Sequence, residues 1–333
     1  MATTALIALT LGDPAGIGPE IALRVLDLPE LRGAMGLVVI GPANFRPASI
    51  RSISREQTSN LRAELSAGDA VWIESAAPDS WEQGRVQAAC GEAALAALRI
   101  GHELAIADEV DALVTSPVSK EALHLAGVHV EGQTELLGRW CGVDDHQMLA
   151  IAGQLRVLLL TRHLPLKVAL QRIDGDEILR HLHMLNDGLC RLGFEKPRLG
   201  LAGLNPHAGE GGVLGREEIE ILGPACRRAQ EEGVDVSGPI SPDAIFAQAA
   251  AGDYDGVLAL YHDQAFIPIK LLGEGKGMTL LFGLPYLRLS PAHGTGFDIV
   301  GTGKARHEDL KVTLLQAAEW ALARRRSRLL SQE

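Results

Sequence analysis

Ala5–Leu28 reads ALIALTL, then GDPAGIGPE, then IALRVLDL. An apolar run meets a turn rich in glycine and proline, and the turn meets a run with helical spacing. Strand, turn and helix in that order open an α/β unit. Pro19 suits the first helical turn. The glycines let backbone N–H groups at the helix start come close to an anion. The turn is neither GxGxxG nor a Walker loop, so alone it speaks for the fold and not for a ligand.

The chain has 333 residues. Single cores stop growing at roughly 250–300 residues, so two domains or lobes are expected. A net charge of -11 argues against nucleic acid or an anionic membrane as partner. The basic run Arg324-Arg325-Arg326-Ser327-Arg328 reads as a solvated helix end, where cations suit the helix dipole. Cys90, Cys141, Cys190 and Cys226 form no CxxC pair, which fits reduced thiols in a cytoplasmic protein. Ala5–Leu11 is too short to span a membrane and has no basic segment before it, so it reads as a first strand.

The opening pattern recurs along the chain. Gly36–Ile40 and Asp111–Thr115 read as strands, Val86–Asp108 as a long helix, and Arg51–Ala77 as an excursion between strands. Thr134 is placed to cap a helix over Leu136–Trp140. Met148–Ala152 and Leu155–Leu160 form a hairpin signal across Gly153-Gln154. Three apolar strands, Leu155–Leu160, Arg198–Leu204 and Val257–Tyr261, are each followed closely by a histidine: His163, His207 and His262. Neighbouring strands of one sheet would gather these imidazoles. Three of them with an open fourth position make a catalytic zinc-type site, and the plain alternative is three unrelated polar strand caps. The histidines at 102, 124, 129, 146, 181, 183 and 307 lack this context and read as surface or helix-face residues.

Asp243 follows Ser241-Pro242 ahead of an apolar helix. Either residue caps the helix, or the carboxylate orients an imidazole or takes a proton. Lys270 ends the apolar run Ile267-Pro268-Ile269, and Arg288 interrupts another between Leu287 and Leu289. Cations within apolar runs are costly unless paired, and a bound carboxylate or phosphate would pair them. A glycine-rich loop follows from His293 to Gly303.

LGDPAGIGPE, TRHLPLK, LNPHAGEGG, SPDAIF, YHDQ and GLPYLRLSPAHGTGFDIVGTGKA together resemble the 4-hydroxythreonine-4-phosphate dehydrogenase family of vitamin B6 synthesis, nearly end to end. The first and last motifs are also similar to those of isocitrate and isopropylmalate dehydrogenases. The resemblance implies two α/β lobes with a central cleft, residues 1–127 with 297–333 and residues 128–296, in a homodimer with its site at the subunit interface. It implies a divalent metal on His163, His207 and His262, with zinc first and cobalt, nickel, manganese or magnesium as options. It implies substrate contacts from Gln133, Thr134, Lys270, Thr279 and Arg288, and catalytic roles for Asp243 and Lys270. NAD, or else NADP, is expected on His293, Gly294, Thr295, Asp298 and Gly301. The implied reaction is oxidation and decarboxylation of 4-phosphohydroxy-L-threonine to 3-amino-2-oxopropyl phosphate.

Two positions depart from the family pattern. Gln133 stands where the family has histidine, and Thr279 where it has asparagine. These changes raise a second reading, a dehydrogenase for another hydroxy acid such as a four-carbon sugar acid phosphate or an aromatic-acid cis-dihydrodiol. A third reading, a non-enzymatic binding protein on the same fold, is opposed by the intact histidine set.

Overall fold

A computed structural model of the chain describes residues 4–330. Its strands are β1 Ala5–Thr10, β2 Met35–Pro42, β3 Arg51–Ile53, β4 Ala70–Ser75, β5 Ala112–Thr115, β6 Gln147–Ala152, β7 Leu155–Leu159, β8 Leu199–Ala202, β9 Val236–Ile240, β10 Gly256–Ala259, β11 Gly277–Phe282 and β12 Leu287–Pro291. Two compact units divide the chain, one from residues up to 146 with 283–326, the other mainly from 147–282.

The first unit carries a parallel sheet in the order β3-β4-β2-β1-β5-β12. β1 and β2 are buried along their whole length. Such near-continuous apolar strands are what a sheet covered on both faces requires. The Ala-rich helix Ala88–Ile106 packs on β1, β2 and β5. The segment 51–77 is not an excursion: β3 and β4 extend the sheet, and Trp72 is fully buried with its Nε1–H donating to Gly41 O. The sequence reading put unit boundaries at 127/128 and 296/297. The structure has them at 146/147 and 282/283, because β12 pairs in register with β5 and the helix Gln133–Cys141 is tied back to Ser116.

The second unit carries the order β11-β6-β7-β10-β8-β9. β6 runs antiparallel to β11 and β7, forming the expected hairpin, and β7, β10, β8 and β9 are mutually parallel neighbours. Its core joins Leu155, Val157 and Leu159 of β7 to Ala202, Ile245, Val257, Ala265 and Ile269.

The opening turn is held by close backbone approach. Gly12 has φ +76, and a Cβ added there would lie 2.3 Å from Pro117 O. Asp13 N–H donates to the same carbonyl, so the loops after β1 and β5 are joined. Gly12→Ala should therefore lower stability by more than about 1 kcal/mol in urea denaturation. An unchanged midpoint would show that the two loops are not closely coupled.

Candidate active site

β7, β10, β8 and β9 lie side by side, and each delivers one candidate residue just past its carboxyl end. In that spatial order the residues are His163, His262, His207 and Asp243. In open α/β sheets this edge is where ligands bind.

His163 and His262 come together. Their ring centroids are 5.7 Å apart, and both line a cavity of about 260 Å³ with Arg162, Leu164, Leu166, Ala169, Tyr261 and Asp263. Two imidazoles on one metal have centroids roughly 5–6 Å apart, given metal–nitrogen bonds of about 2.0–2.1 Å. His262 opens the helix His262–Gly273, its Nδ1 is 2.7 Å from Asp263 Oδ1, and its ring stacks on Phe266. The carboxylate favours the tautomer with Nδ1 protonated, which leaves Nε2 as the donor to a metal.

His207 is not among the residues lining that cavity. Among the described residues, no three histidine, cysteine or carboxylate side chains stand together as a metal site. The donor chemistry suits a borderline divalent metal. Within this single chain two of the three expected imidazoles are drawn together. Asp243 lies nearer in effect to His207. Its carboxyl is held below the usual aspartate range, first by the hydroxyl of Ser241 and in smaller part by His207. Ser241 occupies the cap position of the helix Pro242–Ala251, yet its hydroxyl goes to Asp243 and not to the helix backbone.

Lys270 is exposed on the last turn of its helix, so the expected cost of burying it does not arise. Thr279 is buried on β11.

In the first unit Arg288 is the buried cation. It is 4% exposed, and its Nη2 donates to Thr115 Oγ1 at 2.7 Å and its Nη1 to Thr134 Oγ1 at 3.5 Å. Its Nε has no partner, and no carboxylate forms an ion pair with it among the described residues. Burial lowers its pKa to about 10, with Tyr286 and Glu135 pulling the other way, so it stays charged at neutral pH. Thr134 does not cap its helix: Gly132 holds the cap position, and Thr134 sits in the first turn with its hydroxyl toward Arg288. Gln133 Nε2 donates to Ser116 O, and its Oε1 is buried without a partner. Asp13 Oδ2 and Ser116 Oγ, on the loops after β1 and β5, also lack partners. A buried guanidinium that meets two hydroxyls and no paired carboxylate has the chemistry to receive an anion, although the Asp13 carboxylate would not itself favour one.

Two of the histidines read as surface or helix-face residues lie on the buried faces of their helices. His181 is 1% exposed, and His102 is 8% exposed with its Nδ1 2.9 Å from Tyr286 Oη. Burial lowers the pKa of His102 and raises that of Tyr286. Tyr286 also acts electrostatically on Arg288 two residues on. The helical pattern of Ala88–Ile106, read as turns of 3.6, would have put His102 on the buried face with Leu98 and Ala105.

The 293–303 loop is tied to the opening turn. Ile17 N–H donates to Thr295 O, Gly301 N–H to Glu20 Oε2, and Arg24 to Ala305 O. His293 Nδ1 is 2.9 Å from Gly294 O and its Nε2 has no partner, while Asp298 is exposed. These residues could hold the polar part of a nucleotide.

The anion seat has a direct test. Added inorganic phosphate should raise the melting temperature of the native protein, and Arg288→Met should abolish the response while leaving basal stability equal or higher. An undiminished response in the variant would remove Arg288 from the seat.

The profile of the family described as pyridoxal phosphate biosynthetic protein PdxA matches residues 29–317. The chain is 40% identical over 326 residues to D-threonate 4-phosphate dehydrogenase of Salmonella typhimurium, covering 96% of this chain and 99% of the relative. It is 37% identical over 322 residues to 4-hydroxythreonine-4-phosphate dehydrogenase of Geobacter metallireducens, covering 95% of each. A crystal structure of 4-hydroxythreonine-4-phosphate dehydrogenase from Klebsiella pneumoniae superposes with a TM-score of 0.83 at 38% identity, over 96% of this chain and 100% of that one. With a profile match and full-length relatives of this similarity, the chain belongs to the PdxA family.

Proposed function

We propose that this chain is a metal-requiring, NAD-linked dehydrogenase that oxidises and decarboxylates a four-carbon 3-hydroxy acid carrying a terminal phosphate, with 4-phosphohydroxy-L-threonine as substrate and 3-amino-2-oxopropyl phosphate as product. The observation that carries this reading is the row His163, His262, His207 and Asp243 on four adjacent parallel strand ends, in a chain of this family.

His163, His207 and His262 would hold the metal, zinc first. The 293–303 loop, with His293, Gly294, Thr295, Asp298 and Gly301, would hold NAD, with NADP the other option. When bound, the metal lowers the pKa of a substrate hydroxyl and the nicotinamide accepts hydride. Asp263 fixes the His262 tautomer. Asp243, with its lowered pKa, is ionised at neutral pH, which suits holding an imidazole in orientation or accepting a proton better than storing one. Arg288, with Thr134 beside it, seats an anionic group of the substrate. Lys270 supplies a second, exposed cation that favours the charge left when carbon dioxide departs from the β-keto acid.

A homodimer is part of this reading. Leu164, Leu166, Leu170, Ile267, Leu271 and Leu272 are exposed in the second unit, and Leu271 is 72% exposed. Exposed apolar side chains on and beside the helices Leu166–Gln171 and His262–Gly273 support an interaction surface there. Four free cysteines suit a cytoplasmic location, and no helix among the described residues is long and apolar enough to cross a membrane.

A second reading takes D-threonate 4-phosphate, the acid named for the Salmonella relative, as substrate. Gln133 favours it. The two acids differ chiefly at carbon 2, amino against hydroxyl, and Gln133 offers a neutral, unpartnered carbonyl oxygen where the family pattern has an ionisable ring.

Reduction of NAD by zinc- or cobalt-loaded protein should proceed with 4-phosphohydroxy-L-threonine and fall sharply with its unphosphorylated form. Turnover of D-threonate 4-phosphate alone would support the second reading. No turnover of either phosphorylated acid would overturn both.

A further inference from the structure

Glu218 is an anomaly in the second unit. It lies in the π-helical turn Glu218–Leu222, is 5% exposed, and forms no ion pair with a described cation. A buried carboxylate without a cation is costly unless hydrogen bonds replace its hydration. Here they do. Oε1 accepts from Leu204 N–H at 2.9 Å and Asn205 N–H at 2.7 Å, and Oε2 accepts from Asn205 Nδ2 at 2.9 Å. Asn205 Nδ2 also donates to Glu217 Oε2 at 2.8 Å. Burial pushes the Glu218 carboxyl up, and these donors outweigh it, so its pKa lies below the usual glutamate value.

Every one of those donors belongs to the two residues that lead from β8 toward His207. The chain then makes an unusual excursion. His207, Ala208, Gly209, Glu210 and Gly211 all have positive φ, from +45 to +79. Each non-glycine residue in this region costs about 1–2 kcal/mol, so the segment does not select this shape by itself. Gly209 passes so close to the carboxylate that an added Cβ would lie 2.8 Å from Glu218 Oε2. The segment turns against Glu218.

We propose that Glu218, with Asn205, is a positioning residue that sets the backbone from which His207 presents its imidazole. This rests on the reading of His207 as a metal ligand. Glu218 touches neither metal nor substrate in this account. It acts only through the 204–211 backbone.

The test compares Glu218→Gln with His207→Ala and the native protein, using cobalt(II) titration followed by absorption and amide hydrogen exchange of the metal-free protein. Glu218→Gln should weaken cobalt binding about 10–100-fold, as loss of a ligand-orienting partner does. Exchange should rise across 204–213 and stay native elsewhere, with the melting temperature little changed. Asn205→Ala keeps the carboxylate and its backbone donors, and should shift both readouts the same way by less. It carries the test if Glu218→Gln does not fold. Native cobalt affinity in both Glu218→Gln and Asn205→Ala, with His207→Ala impaired, would overturn the role of Glu218 alone. Native affinity in His207→Ala would overturn the metal reading beneath it.

Discussion

The row of site residues in the second unit depends on parallel strands held about 4.8 Å apart by their hydrogen bonds. β7, β10, β8 and β9 keep that spacing and all end on one edge. Residues from adjacent strands can meet directly, as His163 and His262 do. Residues from strands two apart start roughly 10 Å from each other and must reach inward. His207 begins on the far side of β10 from His163, on a segment whose shape is imposed by its neighbours. The same spacing puts Asp243, at the start of the helix that follows β9, on the side of His207, whose charge helps to lower the Asp243 pKa.

Charge is handled differently at the two ends of the first unit's sheet. The Asp111 side chain, at the amino end of β5, is only 6% exposed yet fully engaged: Arg62, Arg325 and the Leu6 N–H all donate to it. That network is a closed structural clamp. At the carboxyl end, Arg288 has hydroxyls in place of carboxylates, and Asp13, Ser116 and Gln133 each keep a buried polar atom without a partner. Unsatisfied buried polar groups are costly, and these three lie on the segments that follow β1 and β5 and on the helix tied to Ser116, at the end of the sheet where α/β proteins bind ligands.

Much of this was legible in the sequence because apolar strands that end in polar residues write their own boundaries. β1, the β6–β7 hairpin and the strands before His163, His207 and His262 follow directly from that pattern. β4 was missed because its apolar part is only Val71-Trp72-Ile73, too short to stand out in a polar stretch. The unit boundaries were misplaced because β12 pairs with β5, a contact between segments far apart in sequence. Lys270 and Arg288 look alike as cations in apolar runs. A helix turns Lys270 to solvent and a strand turns Arg288 inward, and composition cannot separate those outcomes. Thr134 and Ser241 have cap residue types, but their hydroxyls serve Arg288 and Asp243. Glu218 carried no signal, since a glutamate near the start of a helix is ordinary. Its role lies in tertiary hydrogen bonds to a segment thirteen residues upstream.

Anomalous diffraction at the absorption edge of a bound metal, from crystals of the zinc- or cobalt-loaded protein, tests the central claim most directly. The account predicts one strong peak per chain contacted by ring nitrogens of His163, His207 and His262. A dominant peak elsewhere, or one that excludes His207, would contradict it.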